Sequence, residues 1–154
     1  SPEEALAELY GPAYYDGPPM FVYTDGSCLD NGTPSARAGA GVYWGPGAAK
    51  NLSARVPGLQ TNGRGELLAV VFALLDAELC RPLVICSDSE YVIHSLCHWA
   101  PKREATGWDC ANSDMLQDAV RLLQLRPAPT VFRWVKAHSG NQHNDAADSL
   151  AKAG

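Results

Sequence analysis

Met20-Phe21-Val22-Tyr23-Thr24-Asp25-Gly26 is a β-branched and aromatic run that stops at a turn dipeptide. This pattern predicts a strand over Met20–Thr24 followed by a turn. Two further strands are predicted over Arg37–Trp44 and Asn51–Val56, and each ends at a turn that contains Pro and Gly. Short connections between consecutive strands favour antiparallel pairing, so the first part of the domain is expected to be an antiparallel meander.

Helical and strand patterns alternate after this meander. Apolar residues recur at helical spacing from Thr61 to about Leu79, and Leu83–Cys86 is a compact apolar run typical of a strand buried on both faces. The remaining predicted elements are a helix through Tyr91 and Trp99, a helix capped by Asn112 or Ser113 that runs through Leu123, a strand over Thr130–Lys136, and a helix from Asn144 to the end. This order predicts an α/β fold in which helices cover both faces of a mixed sheet.

Acidic residues stand at positions that such a sheet brings together. Asp25 follows the first strand and Asp88 follows the fourth, so their carboxylates meet if the two strands are parallel neighbours. Glu66 lies near the start of the first long helix, and Asp145 and Asp148 share a face of the last helix. Each of them also has an ordinary explanation, as a turn residue, a residue at a helix start or a solvent-exposed charge.

Four carboxylates gathered at one place require cations, because like charges at close range do not all stay ionised without them. Ligand sets made only of oxygen atoms select hard ions, Mg²⁺ or Mn²⁺ rather than Zn²⁺. A pair of such ions is a known solution for in-line displacement at a phosphodiester. The convergent interpretation therefore indicates a phosphoryl-transfer enzyme.

Six motifs, in this order along the chain, carry a resemblance to a known family. They are Tyr23–Ser27, Ala38–Gly45, Thr61–Leu67, Ser87–Val92, Trp134–Gly140 and Asn144–Asp148. Together they resemble the catalytic domain of ribonuclease H1, of the cellular type, over residues 21–154. The resemblance implies the five-stranded mixed sheet of the ribonuclease H-like fold. It also implies a metal-dependent endonuclease that hydrolyses the RNA strand of an RNA–DNA hybrid and leaves 5′-phosphate and 3′-hydroxyl ends.

The resemblance also assigns roles to residues. It implies two Mg²⁺ ions, for which Mn²⁺ substitutes, held by the four ligands Asp25, Glu66, Asp88 and Asp148. His138 matches a mobile-loop histidine that helps to move protons or release product. The implied substrate contacts are Asn31 and Asn62 on the RNA strand, Thr61 and Asn112 in a pocket for a DNA phosphate, and Trp99 and Trp108 beside the DNA strand. The other histidines are interpreted as surface or packing residues.

Three departures from the family pattern concern substrate binding. Gly63 stands where the family usually has Gln or Asn, which removes a polar contact. Leu59 stands where Arg is expected, so a charge-assisted phosphate contact is missing unless Arg64 or Arg55 replaces it. The segment after the second helix holds only two cations between its two tryptophans, where the family is rich in lysine. We therefore expect weaker hybrid binding by this chain alone.

Composition and charge set the remaining expectations. The chain has 154 residues, 46% of them hydrophobic, and a net charge of −5, which is typical of one globular domain. Residues 1–20 hold four acidic and no basic residues and are rich in Pro and Gly. They are expected to be an arm or linker that tethers the catalytic domain, residues 21–154, to a further N-terminal domain.

Cysteine content and hydropathy bear on location and assembly. Five cysteines without a Cys-x-x-Cys pair indicate a reducing intracellular compartment rather than disulfides or a zinc site. No signal peptide and no membrane-spanning apolar run is visible. The expected partner is an RNA–DNA hybrid, bound by a monomeric domain.

Three other interpretations stay open. The same fold can serve as a non-catalytic module that binds hybrid or protein, although a pure binder has no need of clustered negative charge. The chain can instead be the ribonuclease H domain of a retroelement polyprotein, which the Val42–Gly45 stretch disfavours. Another phosphoryl-transfer enzyme on this fold, such as an exonuclease or a transposase, is disfavoured by the order of the motifs.

Overall fold

Five strands form one mixed sheet in the computed structural model, which describes residues 18–99, 112–137 and 140–154. They are Met20–Leu29 (β1), Arg37–Tyr43 (β2), Leu52–Arg55 (β3), Leu83–Ser87 (β4) and Thr130–Trp134 (β5). Their order across the sheet is β3-β2-β1-β4-β5, in which the first two pairings are antiparallel and the last two are parallel. The prediction of a five-stranded mixed sheet in an α/β fold is confirmed.

The first strand continues five residues beyond its predicted end at Thr24. Gly26–Leu29 pair with Ala40–Arg37 of β2, which satisfies backbone groups that a turn would expose. The chain turns only after Leu29, where Asp30 and Gly32 have φ angles of 53° and 84°. The prediction of a turn at Asp25-Gly26 is therefore wrong, and Asp25 lies within a strand.

Polar side chains cap three of the four helices within the described residues, and the helix after Asn112 has no side-chain cap. The four helices are Asn62–Asp76 (α1), Glu90–His94 (α2), which continues as a π-helical turn over Ser95–Trp99, Ser113–Leu125 (α3) and Gln142–Ala153 (α4). Thr61 Oγ1 accepts the Arg64 amide before α1, and Ser89 Oγ accepts the Val92 amide before α2. Asn141 caps α4, which explains why this helix begins two residues before the predicted Asn144.

The helices pack on opposite faces of the sheet. A Cβ atom on Gly39 or Gly41 would collide with α4, whereas one on Gly26 would collide with α1. Because side chains alternate along a strand, these contacts place α4 on one face and α1 on the other, with α3 packed against α1. Fully buried apolar residues, among them Leu67 and Ile85, fill the core. None of the helices within the described ranges is both long and apolar enough to cross a membrane.

Candidate active site

Asp25 and Asp88 occupy equivalent places on two parallel neighbouring strands. In the register of β1 and β4, Thr24 pairs with Ser87, so Asp25 and Asp88 are the next residues on each side. Asp25 is only 6% exposed, and Asp88 is half-buried where the chain leaves β4. The two carboxylates therefore meet at the same edge of the sheet, as the sequence predicts for parallel neighbours.

Glu66 reaches this edge from the second turn of α1. The helix approaches the sheet closely because a Cβ atom on Gly65 would lie 2.6 Å from the Gly39 carbonyl oxygen, and one on Gly26 would overlap the amide nitrogen of Glu66. These glycines let the two backbones touch. The contact sets how far the Glu66 side chain extends over β1.

Two donors hold the Glu66 carboxylate. Ser89 Oγ donates a hydrogen bond to Oε2, and Asn62 Nδ2 donates to Oε1 at 2.9 Å. Burial raises the pKa of Glu66, and the charge of Asp88 acts in the same direction, whereas the two hydrogen bonds lower it. The carboxylate is thus oriented before any ligand arrives.

Asp148 faces the same edge from α4. Lys152, one turn later, approaches Asp148 Oδ2 with its Nζ at 2.9 Å, and this hydrogen bond raises the pKa of Lys152. The helix lies close to the sheet at Gly41, where a Cβ atom would come within 2.6 Å of the Ala151 nitrogen. Gly41 pairs with Asp25, so Asp25 lies on the face that α4 covers.

The four carboxylates line one open cleft of about 340 Å³. Burial, the charge of Asp88 and the neighbouring Asp148 together raise the pKa of Asp25 to about 8. The Gly26 amide opposes this by donating to Asp25 Oδ1 at 2.9 Å. Each carboxylate comes from a different part of the fold, so the cleft is a product of the tertiary structure.

The donors in this cleft suit a hard divalent cation. All four acidic groups are carboxylates, and burial together with the charges of Asp88 and Asp148 raises the pKa of Asp25, an effect that a bound cation would offset. Within the ranges that the structure describes, no three acidic, histidine or cysteine side chains are already gathered into a metal-binding cluster. The carboxylates therefore line the walls of the cleft rather than form a closed cage.

Three polar residues of the site were not predicted from the sequence: Asn144, Ser89 and Lys152. Asn144 is 2% exposed and its Nδ2 donates to Asp88 Oδ2 at 3.4 Å, while its Oδ1 has no hydrogen-bond partner among the described residues. It lies four residues before Asp148 and so shares a helical face with it. That spacing was the available signal for Asn144.

The predicted substrate-binding residues occupy different surroundings. Asn62 lines the cleft, and Asn112 lines an adjoining lobe of about 480 Å³. Thr61 caps α1 immediately before Asn62. Asn31 is exposed in the turn between β1 and β2 and lines neither lobe.

Other expectations fall on residues that the structure does not describe. His138, Trp108 and the side chain of Trp99 are in this group, so their roles stay predictions. Among the remaining histidines, His143 packs against Tyr23 and Tyr43, with ring centroids 5.1 and 5.7 Å apart.

The two arginines considered as replacements at the missing phosphate contact already have partners. Arg64 is 8% exposed, and its guanidinium donates to both carboxylate oxygens of Asp114, at 2.9 and 3.1 Å. It also donates to the Pro57 carbonyl at 3.0 Å. Arg55 is exposed and donates from Nε to Gln60 at 3.1 Å. Arg64 therefore belongs to the scaffold.

A family model described as RNase H matches residues 18–154. The chain is 37% identical to Ribonuclease H1 of Mus musculus and 38% identical to Ribonuclease H1 of Homo sapiens, over 91% of this chain and 51% of each relative. It is 36% identical to Ribonuclease H of Anaplasma marginale, over 85% of this chain and 86% of that relative. The chain thus spans about half the length of the mammalian relatives and most of the bacterial one.

Solved structures show the same fold. The crystal structure of LC9-RNase H1, a type 1 RNase H with the type 2 active-site motif, matches with a TM-score of 0.68 and 26% identity, over 92% of this chain and 74% of that one. The solution structure of the PFV RNase H domain matches with a TM-score of 0.68 and 23% identity, over 87% and 92%. From the family match, the identity to these relatives and the common fold, the chain belongs to the RNase H family.

Proposed function

We propose that this domain is a metal-dependent endonuclease that hydrolyses the RNA strand of RNA–DNA hybrids and leaves 5′-phosphate and 3′-hydroxyl ends. The observation that carries the proposal is the cleft that collects Asp25, Glu66, Asp88 and Asp148 from four separate elements. Clustering buried acids is costly without cations. A protein that only binds nucleic acid gains nothing from it, because negative charge repels phosphate.

The four carboxylates are the proposed ligands for two Mg²⁺ ions, with Mn²⁺ as a substitute. Such ions, when bound, activate the attacking water and stabilise the leaving oxygen of an in-line displacement. Neighbouring polar residues of this chain orient two of the proposed ligands. Ser89 and Asn62 orient Glu66, and Asn144 orients Asp88. Partners of this kind fix the geometry of ligating carboxylates.

Substrate contacts follow from the need to distinguish a hybrid from DNA. The 2′-hydroxyl groups of the RNA strand are exposed in a wide minor groove and are read by short polar side chains. Asn62, beside the carboxylates, and Asn31 are the proposed contacts for this strand. Thr61 and Asn112, with Trp99 and Trp108, are the proposed contacts for the DNA strand. His138 is proposed to move protons or assist product release.

The direct test is cleavage of a labelled RNA–DNA hybrid with Mg²⁺ at low salt, beside matched RNA–RNA and DNA–DNA duplexes. We expect cleavage of the RNA strand of the hybrid alone, lost in Asp25→Asn. Asp145→Asn is the matched control, because Asp145 is exposed on the same helix as Asp148 and does not line the cleft. Hybrid binding without cleavage, in Mg²⁺ and in Mn²⁺, would overturn the proposal and favour a non-catalytic binding module.

A further inference from the structure

The lobe beside the carboxylates is built around Gly63, Tyr91 and Asn112. Its lining residues are Asn62, Gly63, Glu66, Asp88, Ser89, Glu90, Tyr91 and Asn112, so it opens directly onto the acidic cleft. Gly63 lies in the first turn of α1 and Tyr91 near the start of α2. Asn112 comes immediately before α3. Three elements therefore meet at this lobe.

The ring of Tyr91 occupies the space that a side chain at position 63 would need. A Cβ atom on Gly63 would lie 3.2 Å from Tyr91 Cε2, which is tighter than ordinary van der Waals contact, and 3.6 Å from Asn112 Nδ2. Any Cβ atom at this position therefore requires the Tyr91 ring to shift by a few tenths of an ångström. The absence of a side chain at Gly63 thus leaves room for the Tyr91 ring.

Asn112 is held in an uncommon conformation. Its φ and ψ angles are 61° and 26°, in the left-handed region, and its side chain makes no capping hydrogen bond to α3. Asn before a helix usually caps it, but this side chain forms a different hydrogen bond. Its Nδ2 donates to the Tyr91 hydroxyl at 2.9 Å. Residues kept in this region persist where their surroundings fix them.

A second contact fixes the same helix start. Asp114, two residues after Asn112, accepts two hydrogen bonds from the guanidinium of the buried Arg64 on α1. The backbone before α3 is therefore tied to α1 through Arg64, and the side chain of Asn112 is tied to α2 through Tyr91. Among the described residues, the other N–H of the Asn112 side-chain amide and its carbonyl oxygen have no hydrogen-bond partner, so they can meet a ligand in the lobe.

We propose that Tyr91 is a positioning residue that aims the Asn112 amide at the bound nucleic acid, and that Gly63 is required for Tyr91 to do so. In this interpretation Gly63 contributes to the binding lobe because it leaves room for Tyr91. The family pattern alone would instead indicate that a polar contact has been lost at this position. This inference rests on the proposed function, because the ligand of the lobe is a strand of the hybrid.

Tyr91→Phe tests the hydroxyl alone, because it keeps the ring. We expect the KM for a hybrid to rise about five-fold, the typical effect of one hydrogen bond, while kcat stays within about two-fold. Tyr43→Phe, which changes the same atom outside the lobe, should leave both unchanged. The Asn112 side-chain amide signals in a ¹H–¹⁵N NMR spectrum of the metal-free protein should move in Tyr91→Phe and stay in Tyr43→Phe. An unchanged KM or unmoved Asn112 signals would overturn the inference.

Gly63→Gln separates this inference from the family pattern. Restoring the polar residue should improve hybrid binding if a contact has been lost, whereas our inference predicts a rise in KM of about five-fold or more. Gly63→Ala should also raise KM without lowering Tm, since alanine favours helix. Tighter binding by Gly63→Gln would overturn the inference. Failure of the unaltered protein to cleave hybrid would instead overturn the proposed function, and the two results are distinguishable.

Discussion

Asp25 links the stability of the metal-free domain to pH. Its pKa in the folded protein is raised to about 8, above the value of about 4 in an unfolded chain. A raised carboxyl pKa stabilises the fold fully below the unfolded value, and that contribution is lost as pH rises through the folded value. The metal-free domain should therefore lose stability between about pH 4 and pH 8 through this one group.

Asp25→Asn should remove that loss, because Asn mimics the neutral acid. The test is the free energy of unfolding, measured by urea titration in EDTA at pH 5 and pH 8.5. Over this range the unaltered protein should lose about 2 to 4 kcal/mol more stability than the variant, since each pKa unit corresponds to about 1.4 kcal/mol. Asp145→Asn should follow the unaltered protein at both pH values. Parallel pH profiles for the unaltered protein and Asp25→Asn would contradict the assignment.

Asn144 holds the Asp88 carboxylate through one hydrogen bond. Asn144→Ala removes the amide that donates to Asp88, so we expect about a ten-fold loss of kcat or a matching increase in the Mg²⁺ concentration for half-maximal activity. Gln142→Ala, an exposed change on the same helix, is the control and should have no effect. Normal activity and normal Mg²⁺ dependence in Asn144→Ala would show that Asp88 is positioned without it.

Residue types and spacing predict the acids of the cleft better than the residues that hold them. Asp25 and Asp88 follow from the rule that sites form beyond the ends of parallel strands. Glu66 was a candidate from its place near the start of the first long helix, and the family resemblance then assigned it as a ligand. Ser89 could not be found in this way, because its partner Glu66 is 23 residues away in the chain. Asn144, whose partner Asp88 is 56 residues away, was signalled only by its helical spacing to Asp148. Contacts at such separations depend on packing, which local pattern does not encode.

At the scale of elements, the distance between α4 and the sheet determines where Asp148 lies. A methyl group on Gly41 would collide with Ala147 and Ala151, so the helix must move away. We expect Gly41→Ala to lower stability by about 1 to 3 kcal/mol, the usual cost of overpacking, and to lower activity further than that loss explains. Urea unfolding and cleavage rates measured at saturating Mg²⁺ would test both.

Ala36→Gly is a suitable control for Gly41→Ala, because it changes one methyl group in the loop between β1 and β2, away from α4. It should leave the cleavage rate unchanged. If Gly41→Ala kept full activity at temperatures where it is folded, the close approach of α4 would have no bearing on Asp148.

Element order was predictable and element ends were less so. Every predicted strand and helix within the described ranges is present, because apolar periodicity is a strong signal over several residues. The end of β1 was misplaced because Asp-Gly is typical of turns, whereas pairing with β2 keeps both residues extended. The hydrogen bond from Asn112 to Tyr91 was also not predicted, because Asn before a helix normally predicts a cap.

At the scale of the whole molecule, cation binding should stabilise the fold. The proposed ligands come from β1, α1, α4 and the end of β4, so a cation that joins them opposes global unfolding. At ten times its dissociation constant, Mg²⁺ should add about 1.4 kcal/mol, which raises Tm by about 4 °C for a domain of this size. Calorimetry with Mg²⁺, with EDTA and with NaCl of equal ionic strength would measure this.

Asp25→Asn should show a smaller Mg²⁺-dependent rise in Tm than the unaltered protein. An equal rise in both would place the stabilising cation outside the cleft. Charge composition could not predict such a site, because the net charge of −5 only indicates that acids are in excess. The fold class, in contrast, was available from the order of strands and helices, since few topologies accommodate a meander followed by βα units.

The glycines at the helix contacts restrict how this sequence can diverge during evolution. Gly26, Gly39, Gly41 and Gly65 carry no chemistry, yet any side chain at these positions moves a helix that bears a carboxylate. Under selection for activity they should be as intolerant of change as the acids. Under selection for folding alone, the acids should be replaced more readily than the glycines. Neutralising a buried acid relieves repulsion, whereas enlarging a glycine introduces a collision. Lineages that lose the activity would therefore lose the acids first and keep the glycines.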